Sequence, residues 1–131
     1  MKKQVIAIIG LGYWGTIVTN TLVSMNIFRK IYIYDSDYNK SKILKKKFGS
    51  KVDYLNLNEI KNNKQIKNIF LATPPKENFK ILNSLIDFNK NILIEKPGLI
   101  NSNHYKKIKK KLFQKKNKVS FGYIYIYNNY I

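Results

Sequence analysis

With 131 residues and 44% hydrophobic content, the chain is long enough to bury one core and too short for several domains. It has no cysteine, which excludes disulfide frameworks, thiolate chemistry and cysteine–zinc sites, and no apolar run reaches the length of a membrane span. The formal net charge of +18 is the usual footprint of a nucleic-acid binder, yet Arg29 is the only arginine among 25 basic residues and the lysines are spread through nearly every segment.

Met1-Lys2-Lys3 followed by Val5–Ile9 imitates a secretory signal, but the apolar run is too short and no cleavage site follows, so it reads as a first strand over about Gln4–Ile9. A helix is predicted over Tyr13–Met25 with Trp14, Ile17, Val18, Thr21, Leu22 and Met25 on one stripe, then a second strand over Lys30–Tyr34. Asp37–Phe48 reads as a helix stopped by Gly49, Lys51–Tyr54 as a short strand, and Leu57–Ile60 as a weak helical turn. The fourth strand, Ile66–Ala72, runs into Thr73-Pro74-Pro75, which can open a helix carrying Phe79, Leu82, Leu85 and Ile86. A fifth strand, Asn91–Ile94, delivers Glu95-Lys96-Pro97-Gly98. The last helix is predicted over Asn103–Lys116, capped by Asn101 or Ser102, with Lys106 to Lys118 on its solvated face, and Val119–Tyr127 reads as a final strand. Strands and helices alternate throughout, which predicts an α/β chain with a parallel sheet covered on both faces.

Gly10, Gly12 and Gly15 form G-x-G-x-x-G directly after the first strand and before the first helix, and Asp35 lies twenty positions beyond the last of them. That set describes a tight turn, a close backbone approach and a helix N-terminus aimed at a pyrophosphate, with a carboxylate placed to accept from ribose hydroxyls. A carboxylate there repels a 2′-phosphate, so NAD is favoured over NADP; Asp37 has the same sign, while Lys40 and Lys42 soften the preference. In an open α/β sheet ligands sit beyond the carboxyl ends of the strands, so the glycine loop, Thr73-Pro74-Pro75 and Glu95-Lys96-Pro97 should converge on one crevice. Lys96 follows a buried strand, which predicts a partly desolvated ammonium able to hydrogen-bond a substrate hydroxyl beside a nicotinamide.

Three motifs, Gly10-Leu11-Gly12-Tyr13-Trp14-Gly15, Ala72-Thr73-Pro74 and Glu95-Lys96-Pro97, together with the tail Phe121–Asn128, resemble the glucose–fructose oxidoreductase and inositol dehydrogenase family, Gfo/Idh/MocA. The resemblance spans the whole chain. It implies a Rossmann-type doubly wound parallel sheet over residues 1–119 that holds NAD, with NADP possible, through those motif residues and Asp35. It also implies oxidation of a hydroxyl on a sugar, polyol or nucleotide-sugar, with Lys96 as the catalytic motif lysine and no metal. Residues 120–131 then read as the truncated start of the family's second domain, the rest of which is missing. The histidine common four residues after the motif proline is Asn78 here, Thr16-Ile17 replace a frequent Pro-Asn, and the only histidine, His104, reads as a surface residue.

On this reading the chain is the cofactor domain of an NAD(P)-dependent oxidoreductase, incomplete for catalysis, with dinucleotide and a sugar-like substrate as partners. Self-association is expected through an exposed patch of Ile124, Ile126, Tyr130 and Ile131. The alternatives are a self-contained dinucleotide-sensing module and, behind it, nucleic-acid binding through the lysines. No membrane partner is expected, and the cytoplasm is the expected location.

Overall fold

The computed structural model describes residues 3–115 and 117–123. Strand β1 (Val5–Ile9) leads into helix α1 (Tyr13–Met25), then β2 (Lys30–Tyr34), α2 (Tyr38–Phe48), β3 (Val52–Tyr54) and α3 (Leu57–Asn62). β4 (Ile66–Leu71), α4 (Pro75–Leu85), β5 (Asn91–Ile94), α5 (Ser102–Leu112) and β6 (Val119–Phe121) follow, with short 3-10 turns after α2 and α4. The six strands form one all-parallel sheet in the order β3-β2-β1-β4-β5-β6, the doubly wound Rossmann arrangement expected from the sequence.

The alternation of β1 builds two cores. Val5, Ala7 and Ile9 face Ile60 of α3, Leu82 and Leu85 of α4 and Ile108 of α5. Ile6 and Ile8 face the other way, onto Leu44 of α2 and Val18 and Leu22 of α1. Burial on both sides explains why β1 is an unbroken apolar run. α1 and α2 cover only the β1–β3 half of their face. β5 therefore alternates exposed and buried, Leu93 is 44% exposed, and an apolar groove of about 590 Å³ runs between α1, Phe70 and Leu93.

Several boundaries and faces differ from the sequence reading for local reasons. The inward face of α1 is centred on Gly15 and Thr19, while Trp14 and Met25 are exposed. At Gly15 the helix sits so close to the Gly10 carbonyl that a Cβ would collide with it, and a residue one position earlier is turned about 100° away. Asp37 is the N-cap of α2 and not its first residue, accepting from the Asn39 N–H at 3.0 Å. α3 is longer than a single turn because Asn56 and Glu59 form a capping box that was not read from the sequence. α5 starts from an Asn101 cap and ends at Leu112, leaving Phe113 exposed. β6 stops at Phe121, and the remainder of the expected strand, with the apolar patch of Ile124, Ile126, Tyr130 and Ile131, lies outside the described residues. No helix among the described residues is long and apolar enough to cross a membrane.

At the β3 edge, Lys30 and Lys45 both reach Asp53. The hydrogen bond from Lys45, opposed in part by desolvation and aided by Lys30, holds the Asp53 carboxyl below its ordinary value.

Two stability outcomes follow. Leu82→Ala should lower the unfolding free energy by about 2–5 kcal/mol in a urea titration, since Leu82 is fully buried between α4 and the sheet. The folded Asp53 carboxyl titrates below its unfolded value, so its contribution is present above the ordinary carboxylate range and is lost as pH falls through the folded value. Asp53→Asn should flatten the acid limb of urea midpoint against pH, and added salt should shrink the difference because this side chain is 37% exposed.

Candidate functional site at the strand ends

β1 lies where the strand order reverses, between β2 and β4, and its carboxyl end opens the crevice. Four strand ends, those of β2, β1, β4 and β5, are knitted together there by main-chain hydrogen bonds. Gly10 N–H donates to Tyr34 O at 2.8 Å, Ala72 N–H to Ile9 O at 2.8 Å, and Glu95 N–H to Leu71 O at 2.9 Å. Gly10 turns the chain with φ +93°, and a Cβ on it would come within 2.6 Å of the Ala72 carbonyl oxygen. A Cβ on Gly15 would collide with the Gly10 carbonyl, so α1 sits directly on the turn.

Gly12 differs from both. A Cβ there would meet nothing within 4 Å, so this position faces open space at the start of α1. Gly12 is the N-cap of α1, no side chain caps that end and no acidic residue lies in the first turn. The helix therefore presents uncapped N–H groups and the positive end of its dipole beside an empty cradle, the environment an anionic diphosphate fits. Gly10, Gly12, Tyr34, Asp35, Ala72, Thr73 and Pro74 line one crevice of about 770 Å³.

Asp35 is held differently from the sequence expectation. Its Oδ2 accepts from the Leu11 N–H at 2.7 Å, and its Oδ1 accepts from the Asp37 N–H at 2.9 Å and lies 3.4 Å from Lys40 Nζ. Three donors occupy most of the acceptor positions of this carboxylate, leaving about one for a ribose hydroxyl.

The other predicted residues divide in two. Leu11 is buried beneath the loop, and Gly15 is buried in the contact between α1 and the turn. Tyr13 and Trp14 are exposed, paired edge to face at 5.6 Å, and do not line the crevice. Glu95 is half-buried and Lys96 is exposed; neither lines the crevice, and the expected desolvation of Lys96 is not found. The reason is local: β5 ends at Ile94, so its last buried side chain lies two residues before Lys96.

The Glu95-Lys96-Pro97-Gly98 loop is joined to the Ala72-Thr73-Pro74 loop through Asn78. Asn78 is buried, accepts from Thr73 Oγ1 at 2.6 Å and donates from Nδ2 to Gly98 O at 2.7 Å. The loop is held from its far side by Tyr123, whose hydroxyl donates to Pro97 O at 2.5 Å, and by Tyr105. The hydrogen bond with Tyr105 and then desolvation raise the Tyr123 phenol above its ordinary value. His104 is not a plain surface residue: it is half-buried and stacked on Phe79 at 3.7 Å. Asn78 stands in the sequence only as a departure from pattern, and Lys61, Lys80 and Glu77 on the crevice wall have no sequence signal, because isolated polar residues on a helix carry no periodicity. Among the described residues, no group of three His, Asp or Glu is placed to hold a metal ion.

Fold and crevice together define a dinucleotide-binding Rossmann domain. The family model described as "Oxidoreductase family, NAD-binding Rossmann fold" (GFO_IDH_MocA) matches residues 5–123, and the chain belongs to this family. Solved structures with the same fold include scyllo-inositol dehydrogenase from Lactobacillus casei with bound NAD(H) and scyllo-inositol, at 17% identity and a TM-score of 0.82, covering 98% of this chain and 38% of that one. Myo-inositol 2-dehydrogenase from Lactobacillus plantarum aligns at 22% identity and a TM-score of 0.83, over 98% of this chain and 38% of that one. GenD2 from gentamicin A biosynthesis, in complex with NAD, aligns at 20% identity and a TM-score of 0.79, over 98% and 37%. The chain thus spans less than two fifths of the length of these structures. A comparison with curated proteins returned no match.

Asn78→Ala removes a buried acceptor and a buried donor at once. It should cost about 1–3 kcal/mol in denaturant unfolding, with faster amide exchange around Gly98 as the local signature.

Proposed function

We propose that this chain is the cofactor-binding part of an NAD(P)-dependent oxidoreductase that acts on a hydroxyl of a sugar, polyol or nucleotide-sugar. Residues beyond this span, or another chain, would complete the substrate pocket. The observation that carries the reading is the open cradle at Gly12, set at the uncapped N-terminus of α1 and at the switch point of the sheet. Inositol dehydrogenases among the structural neighbours support the substrate class, as does the family itself.

In this reading Gly10, Leu11, Gly12 and Gly15 form and back the diphosphate cradle, and Tyr13 and Trp14, exposed in the first turn of α1 and outside the crevice lining, would meet the cofactor only where it extends past the cradle. Asp35 braces the loop through Leu11 and offers its remaining acceptor position to ribose. Ala72, Thr73 and Pro74 wall the crevice at the end of β4, and Glu95 and Lys96 stand at the end of β5. The bound cofactor supplies the hydride-accepting ring. Lys96 is the catalytic residue: an exposed ammonium on a braced loop donates a hydrogen bond to the substrate hydroxyl and orients it. Its solvated position suits a residue that meets a second domain or a substrate.

The test uses the single tryptophan, Trp14, as reporter of the adjacent site. NADH should quench its fluorescence saturably. Gly12→Val should leave the circular dichroism of the free chain unchanged and cost about 1 kcal/mol of stability, because valine is a poorer N-cap than glycine, yet weaken NADH binding by more than about tenfold, because the new side chain fills the cradle. A valine variant that binds NADH as well as the parent chain would place the diphosphate elsewhere. Loss of NADH binding on Lys96→Ala would contradict a substrate-side role for Lys96.

A further inference from the structure

We infer that the outer edge of β6, with the hollow between that strand and α5, is a docking surface for an extended, acidic segment of another protein. It shares no residue with the crevice and is independent of the cofactor reading. β6 ends the sheet and, among the described residues, pairs only with β5. Lys118 O accepts from the Ile92 N–H, and the Gly122 N–H donates to Ile94 O, both at 2.8 Å. Backbone groups alternate in direction along a strand, so the Val119 N–H, Val119 O and the Phe121 N–H point away from β5. They form an open ladder edge that no other strand takes up among the described residues. The opposite edge is treated differently: at β3, Lys30 and Lys45 fold onto Asp53 and blunt the strand with paired charge.

Beside that edge is a place for a side chain. An apolar hollow of about 290 Å³ is lined by Phe121 of β6 and by Tyr105, Ile108, Lys109, Leu112 and Phe113 of α5 and its end. Val119 and Phe121 pack with the α5 side of the core, so a strand added to β6 carries every second side chain onto the face of the hollow. Phe113 is 90% exposed, an aromatic ring free to cover an apolar side chain lodged there. The surrounding charge has one sign. Lys106, Lys109, Lys110 and Lys118 are exposed, and none reaches a carboxylate among the described residues, whereas Lys111 and Lys115 share Asp87. Lys118 and Ser120 lie on the other face of the strand, where the alternate residues of an added segment would meet them. The open backbone thus selects an extended partner, the hollow selects an apolar residue, and the lysines select Asp or Glu beside it. A second copy of β6 would bring lysines against lysines. A lipid surface fits less well, because the apolar face of α5 is already buried through Ile108.

The experiment measures dissociation constants by fluorescence anisotropy at near-physiological salt, using the full chain and a short fluorescein-labelled peptide that alternates glutamate and leucine. A further pair of peptides carries N-methyl groups on alternate residues, one peptide in each phase. The phase whose N–H groups face β6 should bind at least about tenfold more weakly, and the other should stay within about twofold of the unmethylated peptide. Val119→Pro removes an outward N–H, leaves the ladder to β5 intact and should weaken the unmethylated peptide by about tenfold. Phe113→Ser and Lys118→Glu should each weaken it by about fivefold or more, while Lys42→Glu, the same charge change on exposed α2, should stay within about twofold. Two methylated peptides that bind alike would reduce the surface to a general polyanion attractor and overturn the inference. So would the absence of binding at about millimolar peptide. A parent-chain dimer in sedimentation that Val119→Pro dissociates also overturns it, since the edge then belongs to a second copy. The methylated pair needs no variant and decides the question even where Val119→Pro does not fold.

Discussion

The close seating of the first turn of α1 on the Gly10 carbonyl, where a Cβ on Gly15 would collide, is the constraint on which the site depends. No side chain fits between helix and turn, so the helix axis is brought in over β1 and its N-terminus is aimed past the end of the strand. Gly10 is itself pressed against the Ala72 carbonyl, which ties the end of β4 into the same contact. The crevice is thus not a gap left between independently packed elements. It is the space that remains once two glycines have drawn a helix and three strand ends together, with Gly12 as the one position of the three left open.

The polar residues around that contact mostly stabilise backbone. Asp35 satisfies N–H groups of Leu11 and Asp37, Asp37 caps α2, Asn56 and Glu59 cap α3, Asn101 caps α5, and Asn78 bridges the loops after β4 and β5. Lys90 does the same at the opposite edge, buried with its ammonium donating to Asn63 O and Ile66 O. Burial lowers the tendency of that ammonium to hold its proton, and the two carbonyls offset the cost of keeping it charged. A loop satisfied from within in this way keeps its shape before a ligand arrives, which reduces the ordering cost of binding. The same economy removes charge from the ligand side, and residues that read as ligand contacts become supports for residues that are.

The elements were largely legible in the sequence because they rest on short-range rules. α1 and β2 begin and end where apolar periodicity and flanking residues place them, Gly49 stops α2, and Pro75 opens α4. The alternation of strand and helix leads to a parallel sheet, and the glycine fingerprint with Asp35 leads to a cofactor crevice at its carboxyl edge. Where the reading slipped, a contact outranked a pattern. Periodicity puts the large side chains Trp14 and Met25 on the inward face of α1, and that face is set instead by its smallest residue. The apolar strand before Lys96 predicts a desolvated ammonium, but burial along β5 ends two residues earlier.

What the sequence by itself determined is therefore local and periodic: which segments are strands or helices, where they stop, and that a helix N-terminus meets a glycine turn. Only the tertiary structure decided how the polar residues are used. Whether a carboxylate faces ligand or backbone depends on which donors lie within three ångströms of it, and for Asp35 one of those donors is 24 residues away in the chain. The joining of two distant loops by Asn78, whose partners lie 5 and 20 residues away, is likewise a property of the folded sheet. Such pairings carry no periodicity, because hydrogen bonds across a fold are selected by distance in space and leave no regular spacing along the chain.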